Sequence, residues 1–230
     1  MNESEHTKID AASELTEEQR EHIRTIENLP IFPYSRAEIL LAYRGQKPVT
    51  EFSLLLRKWP RNEIPPEVNE EQQRIVHTVI DSLNLIGLPI QCAKIWRTPE
   101  EYSGAEYFEK ATYMTSKDPE ALERAKDLWT NRSAKTRQEQ RMVEVKLGRL
   151  FGYPDTATAP LGLPRVEREA AMYQHEELPE DIRNSEAERF HFFRFSRQHV
   201  REEFAVVQQW ADEIRRLCPR LYQEIVGRGR

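Results

Sequence analysis

The run Phe190-His191-Phe192-Phe193-Arg194-Phe195-Ser196-Arg197-Gln198-His199-Val200-Arg201 places an apolar, strand-like segment directly before a helical pattern whose first turns are basic. Unpaired N–H groups at a helix start already carry partial positive charge, so Arg194, Arg197 and Arg201 oppose the usual electrostatic preference there. Ser196 is a good N-cap, Phe195 and Val200 suit a hydrophobic staple, and the first-turn amides would face whatever lies past the strand end. Arg194, Ser196, Arg197 and His199 are therefore the candidate ligand-binding residues. The ligand they imply is a small phosphate- or carboxylate-bearing anion. The competing expectation is internal neutralisation by Glu202 and Glu203, with His199 paired to Glu203 at i+4.

Other residue groupings carry weaker chemistry. Arg165, Arg168, Tyr173, His175 and Glu176 follow a Pro-rich passage, and a histidine beside a carboxylate suits acid-base work near neutral pH. Residues i and i+1 do not face each other on a helix, however, so His175 is expected to be solvent-exposed and His191 to be a satisfied core histidine. Arg132, Lys135, Arg137, Arg141, Lys146 and Arg149 decorate one helix, but Glu139 and Glu144 interleave with them and stacking aromatics are missing before Phe151. That pattern predicts a solvated face rather than a nucleic-acid site. Cys92 and Cys218 match no metal-ligand or redox spacing and are expected to be buried thiols. Glycine-rich phosphate loops, His-Glu-x-x-His helices and nucleophile elbows are absent from the sequence, so no catalytic residue, cofactor or metal is assigned.

The elements that must position these residues can be read locally. Thr16 with Gln19 forms a capping box for a first helix whose apolar face is Ile23 and Ile26, and Ser35 with Glu38 repeats the device for a second ending at Arg44-Gly45. Residues 1–14 are polar without apolar periodicity and are expected to be a disordered tail. Val49 to Leu56 reads as a strand or a short helix, with strand preferred, and Trp59 to Pro66 as a loop. Asn69 and Gln72 cap a helix with the stripe Ile75, Val76, Val79, Ile80 and Leu83, ending near Gly87. Leu88 to Trp96 and Lys110 to Thr115 are predicted strands. Asp118-Pro119 starts a helix through Trp129, and Ser133, within the sequon-like Asn131-Arg132-Ser133, starts another through Phe151. Residues 152–165, rich in Pro and Gly, are a domain boundary or a site loop. Glu167 to Tyr173 is a short helical piece. Last comes a helix with the seam Val200, Phe204, Val207, Ala211, Ile214, Cys218 and Leu221, interrupted at Pro219; intramolecular packing is the first expectation and a partner helix the second.

Lys146-Leu147-Gly148-Arg149-Leu150-Phe151-Gly152-Tyr153-Pro154 resembles a motif of an uncharacterised prokaryotic family, in which a helix ending in Leu-Gly-x-Leu-x-Gly-Tyr-Pro is followed by cysteines. The similarity extends over residues 70–226 and implies no activity. Asp155-Thr156-Ala157-Thr158-Ala159 stands where the cysteines would follow, so a thiolate metal site is not implied here. Read from its residues, the motif is structural: Gly148 permits close helix contact and Gly152 stops the helix.

Composition bounds the function. The chain has 230 residues, 32% of them charged, with a net charge of −5, which argues against general affinity for a nucleic-acid backbone. Its longest apolar runs fall far short of the roughly 20 residues of a membrane span, and its acidic N-terminus lacks an apolar leader core. A cytoplasmic location follows by default. The expected fold class is α+β, mainly helical with a small mixed or antiparallel sheet of Leu88–Trp96, residues 110–115 and Phe190–Phe195, in a single domain over residues 15–230. Two function classes follow. The first is a non-catalytic interaction or binding module that contacts a protein partner or a second copy of itself; the second is an enzyme or binder of a small anion at the Ser196 helix N-terminus.

Overall fold

The computed structural model describes residues 15–60, 69–97, 106–132 and 136–228. The fold is mainly helical α+β with a three-stranded antiparallel sheet. In chain order come α1 (Glu17–Glu27), α2 (Pro33–Tyr43), β1 (Thr50–Pro60), α3 (Glu70–Leu85), β2 (Ile90–Arg97), β3 (Glu106–Thr115), α4 (Pro119–Thr130) and α5 (Arg137–Leu150). After them lie the short helices α6 (Asp155–Thr158), α7 (Arg165–Ala171) and α8 (Glu180–Arg183), then α9 (Val200–Leu217) and α10 (Pro219–Gly227), with tight 3-10 turns between.

Several local signals act as expected. The Thr16 hydroxyl accepts from Gln19 N while the Gln19 side chain returns to Thr16 N, closing the α1 capping box, and Ile23 and Ile26 are buried. Asn69 caps α3 and Asp118 caps α4. Gly45, Gly87 and Gly152 adopt positive φ at helix ends, a conformation that costs other residues about 1–2 kcal/mol. Pro219 restarts the last helix after Cys218.

The sheet order is β1-β3-β2. Phe52 lies opposite Tyr113 and Leu54 opposite Ala111. Because side chains alternate between faces, Phe52 and Leu54 join one core cluster with Val79 and Leu83 of α3, while Met114 joins another with Ala121, Leu122 and Ala125 of α4 and Val143 and Leu147 of α5. The sheet is thus clamped between α3 and the α4–α5 pair. The α9 seam, from Val200 to Cys218 and on to Leu221, is buried throughout, so it packs inside this chain.

Five expectations need correction. Phe190–Phe195 is not a strand: a 3-10 turn ends at Phe190, and pairing is limited to the single bridge between Met172 and Ser196. Its aromatics pack in several directions instead of alternating, Phe190 stacking on Tyr222 and Phe193 meeting both Tyr153 and Trp210. The third strand is β1, which runs through Trp59 and Pro60 where a loop was expected; the rest of that loop, residues 61–66, lies outside the described residues. Helix α2 starts at Pro33, whose fixed φ is already helical, leaving Ser35 inside and Glu38 free to bond elsewhere. The cap of α5 is Thr136, boxed with Glu139, and Asn131 ends α4; Ser133 and the 1–14 tail lie outside the described residues. Cys92 is exposed, while Cys218 is buried and its thiol pushed up to about 12 by that burial.

Candidate functional site

The turn around Ser196 is not the strand-to-helix junction expected from the sequence, and the anion it holds belongs to the chain. Glu203, fully buried on α9, accepts from Ser196 N at 2.7 Å and from Ser196 Oγ at 2.6 Å. Ser196 is not the helix cap, because the helix begins at Val200 and His199 occupies the cap position; the Ser196 hydroxyl instead accepts from His199 N at 3.2 Å. The carboxylate therefore sits where a ligand was expected, held by a backbone amide and a hydroxyl. The chain is pinned from the other side as well, with Tyr173 N donating to Phe195 O and Arg197 N to Ala171 O, each at 2.9 Å.

The surrounding cations have internal partners. Arg194 makes a bidentate pair with Glu169 at 3.2 and 3.0 Å, and its hydrogen bonds hold that carboxyl below its ordinary range. Arg197 pairs with Glu177 and lies 4.8 Å over the Tyr173 ring. Arg201 grips Asp181 and pulls its carboxyl down. His199 meets Glu202 at 3.2 Å, not Glu203. Of the four candidate residues, Ser196 alone bonds to Glu203, while the side chains of Arg194, Arg197 and His199 turn to Glu169, Glu177 and Glu202.

The other sequence groupings resolve similarly. His175 is half-buried rather than exposed, its Nε2 3.1 Å from Glu188, while His191 Nδ1 lies 3.3 Å from the same buried carboxylate. Arg168 turns away to Glu144, which also holds Arg132. On α5, Arg149 pairs with Asp155 and Arg141 donates to Gly162 O, while Lys135 lies outside the described residues. Among the described residues, no group of three or more His, Cys, Asp or Glu is placed to hold a metal ion, and no helix is long and apolar enough to cross a membrane.

Sequence reasoning missed a second buried charge centre. Lys47 has a fully buried side chain and donates to Glu38, with the rings of Phe192, Tyr153 and Trp210 at 4.6, 5.0 and 5.4 Å from its Nζ. An ammonium removed from water needs both an anion and polarisable walls, and this arrangement supplies them. Glu51 completes the group. Burial, helped by Glu38, raises its carboxyl to about 7 against the opposing pull of Lys47 and Arg132, and its Oε2 is buried without a hydrogen-bond partner among the described residues. The Tyr153 hydroxyl is likewise pushed up by burial, with Glu38 and Glu51 adding to it.

The Leu-Gly-x-Leu-x-Gly-Tyr-Pro segment builds this chamber. A Cβ on Gly152 would sit 3.2 Å from Lys47 Cα and 3.3 Å from Gln46 O, so only glycine lets the turn settle on the Lys47 loop. A Cβ on Gly148 would meet Thr158 Cγ2 at 2.6 Å, so that glycine lets α6 close against α5. Val49 N donates to Leu150 O at 2.9 Å, tying the start of β1 to the same helix end. The signal available in the sequence was the motif itself, since its glycines mark a close approach without saying to what.

One open concavity lies elsewhere, between α4 and α5, a groove of about 540 Å³ lined by Leu128 and Leu150 together with Arg124, Lys146, Arg149 and Asp127. Lys146 is exposed and has no ion-pair partner among the described residues. No protein-family model, curated protein or solved structure matches the chain.

Proposed function

We propose that the chain is a non-catalytic cytoplasmic interaction module that docks an acidic, amphipathic helix of a partner protein in the α4–α5 groove. One contrast carries this reading: each basic residue of the Ser196 turn is engaged by a carboxylate of the chain, whereas Lys146 is unengaged beside Leu128 and Leu150. Two neighbouring helices form a groove that a third helix can fill, its apolar stripe over Leu128 and Leu150 and its flanking carboxylates toward Arg124, Lys146 and Arg149. Arg149 pairs with Asp155 and Arg124 lies 3.9 Å from Asp118, so Lys146 is the cation that favours an acidic partner, and its charge also speeds encounter.

The test is an amide chemical-shift titration of the full chain with a helical peptide carrying leucines at i, i+3, i+4 and i+7 and glutamates beside them. Shifts confined to α4 and α5, and lost in Lys146→Glu, support the docking surface. Inorganic phosphate titrated separately addresses the other function class. Saturable shifts at the Ser196 and His199 amides, with none in the groove from the peptide, would replace the present reading with a small-anion site.

A further inference from the structure

The basic run of α5 lacks stacking rings, but the outer half of the sheet has rings and cations together. Side chains alternate along β3, so Phe108, Lys110 and Thr112 share the face of Met114. Met114 is buried against α4 and α5, whereas Phe108, further out along the strand, joins neither core cluster.

The two outer strands each carry one extra residue, Leu56 in β1 and Ala93 in β2. A bulge of this kind reverses which face the following side chains take. Past Ala93, Lys94 stands opposite Thr112 and Trp96 opposite Lys110, on the face of Phe108; without the extra residue both would fall on the α3 side. Past Leu56, Arg57 stands opposite Glu109 on the α3 side, as does Arg97 from β2, and the two guanidiniums bind that carboxylate at 2.8 and 3.1 Å. The bulges therefore sort the cations. The arginines meet an internal anion, while Lys94 and Lys110 have no carboxylate partner among the described residues. At the Met114 end of their face, Glu123 of α4 is already bonded by Gln91.

Trp96 and Phe108 meet edge to face at 5.5 Å, and Lys110 Nζ lies 5.4 Å from the first ring centre and 4.8 Å from the second. Both rings are half-buried, both lie outside the core clusters, and Lys94 beside them is exposed. Rings that fill no core, set among ammonium groups that face no carboxylate, suit a ligand with flat π surfaces and repeated negative charge. An acidic peptide would use the lysines and leave the rings without a stacking partner. A strand of nucleotides uses both.

We propose that this face of β2 and β3 binds single-stranded nucleic acid, with bases stacking on Trp96 and Phe108 and phosphates reaching Lys94 and Lys110. The net charge of −5 opposes wrapping of a long phosphate backbone, and a contact of about two phosphates does not require it. Affinity here comes chiefly from stacking, which tolerates any base sequence. The proposal goes beyond the α4–α5 groove and does not depend on it.

The probe is a fluorescent oligothymidylate of about ten nucleotides, a length typical of single-strand sites, titrated with the full chain at about 50 mM salt and followed by anisotropy. An abasic strand of the same length supplies the phosphates without the bases. The expected result is saturable binding that falls about tenfold for the abasic strand and in Trp96→Leu, with a log–log salt slope shallower by about 0.7 in Lys94→Gln. Lys94 is exposed, so its variant keeps the test valid even where Trp96→Leu does not fold. Oligouridylate run in parallel separates RNA from DNA through its 2′-hydroxyl, and tighter binding of either strand supports the proposal. Absence of saturable binding up to about 1 mM chain, equal binding of the abasic strand, or binding unchanged in both variants overturns it. So does displacement of the oligothymidylate from Lys146→Glu by the glutamate-bearing helical peptide, because the face would then take an acidic protein. Peptide shifts in α4 and α5 report on the groove and oligothymidylate anisotropy on the sheet face, so the two proposals can fail separately.

Discussion

The Ser196 turn and the Lys47 chamber both bury charge, and they settle it in opposite ways. At Ser196 a single carboxylate, Glu203, is met by a backbone N–H and a hydroxyl at hydrogen-bond distance. At Lys47 one ammonium is shared between two carboxyl groups, Glu38 directly and Glu51 through space, with three rings closing the rest. The first balances locally, donor for acceptor. The second buries a carboxyl beyond the one its lysine pairs with, and burial, with Glu38 adding to it, raises that group to about 7, while one of its oxygens has no donor among the described residues. Buried polar groups that are satisfied one by one add rigidity, while an unbalanced cluster makes stability depend on pH.

Removing the lysine should have the largest effect. Lys47→Met strips Glu38 of its buried partner and leaves Glu51 only the pull of Arg132, and breaking a buried pair typically costs about 3–5 kcal/mol. Urea denaturation should show a loss of that size, and Lys47→Met with Glu38→Gln should recover a good part of it, since the second change removes the stranded charge. If the double variant were as unstable as the single one, the cost would come from the aromatic packing around the lysine stem, and the electrostatic contrast between the two regions would collapse.

Glu51 sharpens the contrast through pH. Its folded value, about 7, lies above its ordinary 4.5, so the folded state holds the proton more tightly than the unfolded one. The stabilising contribution is then complete below about pH 4.5 and is lost as pH rises through 7. At about 1.4 kcal/mol per pH unit the ceiling is about 3 kcal/mol. Glu51→Gln keeps the neutral shape, so its stability relative to the parent chain should climb across that interval and level off above it. A flat difference between pH 4.5 and 8 in paired denaturation curves would show that the carboxyl is not held protonated.

What could be read from the sequence divides along the same line. The Thr16 and Asn69 caps, the Gly87 and Gly152 stops and the α9 seam were legible because each depends on residues within one or two turns of one another. The Ser196 turn was half legible: its basic surroundings were visible, but the choice between a ligand and Glu203 depended on whether a side chain in the first turn of α9 folds back onto Ser196. The Lys47 chamber was not legible. Its parts come from α2, the following loop, β1, the end of α5, the Phe192 segment and α9, and nothing local to Gln46-Lys47-Pro48 marks that lysine as buried. The false strand at Phe190–Phe195 has the same origin, since four phenylalanines close together suggest a β ladder until the core they fill is known.

The smallest effects separate the inner and outer parts of the Ser196 turn. Glu203→Ala strands a buried amide and hydroxyl and should cost about 2 kcal/mol, with Glu203→Gln costing less because its carbonyl still accepts from Ser196 N. Arg194→Met removes only a pair whose members stay substantially exposed, so the melting temperature should not move measurably. An anion-binding turn would reverse this order under ligand. Sulfate would then stabilise the parent chain and the Glu203→Ala variant alike, and Arg194→Met would abolish that stabilisation. A self-satisfied turn gives a different pattern in thermal melts with added sulfate: no gain for the parent chain and partial rescue of Glu203→Ala alone, because only the variant has exchanged its own carboxylate for a vacancy that an outside anion can fill.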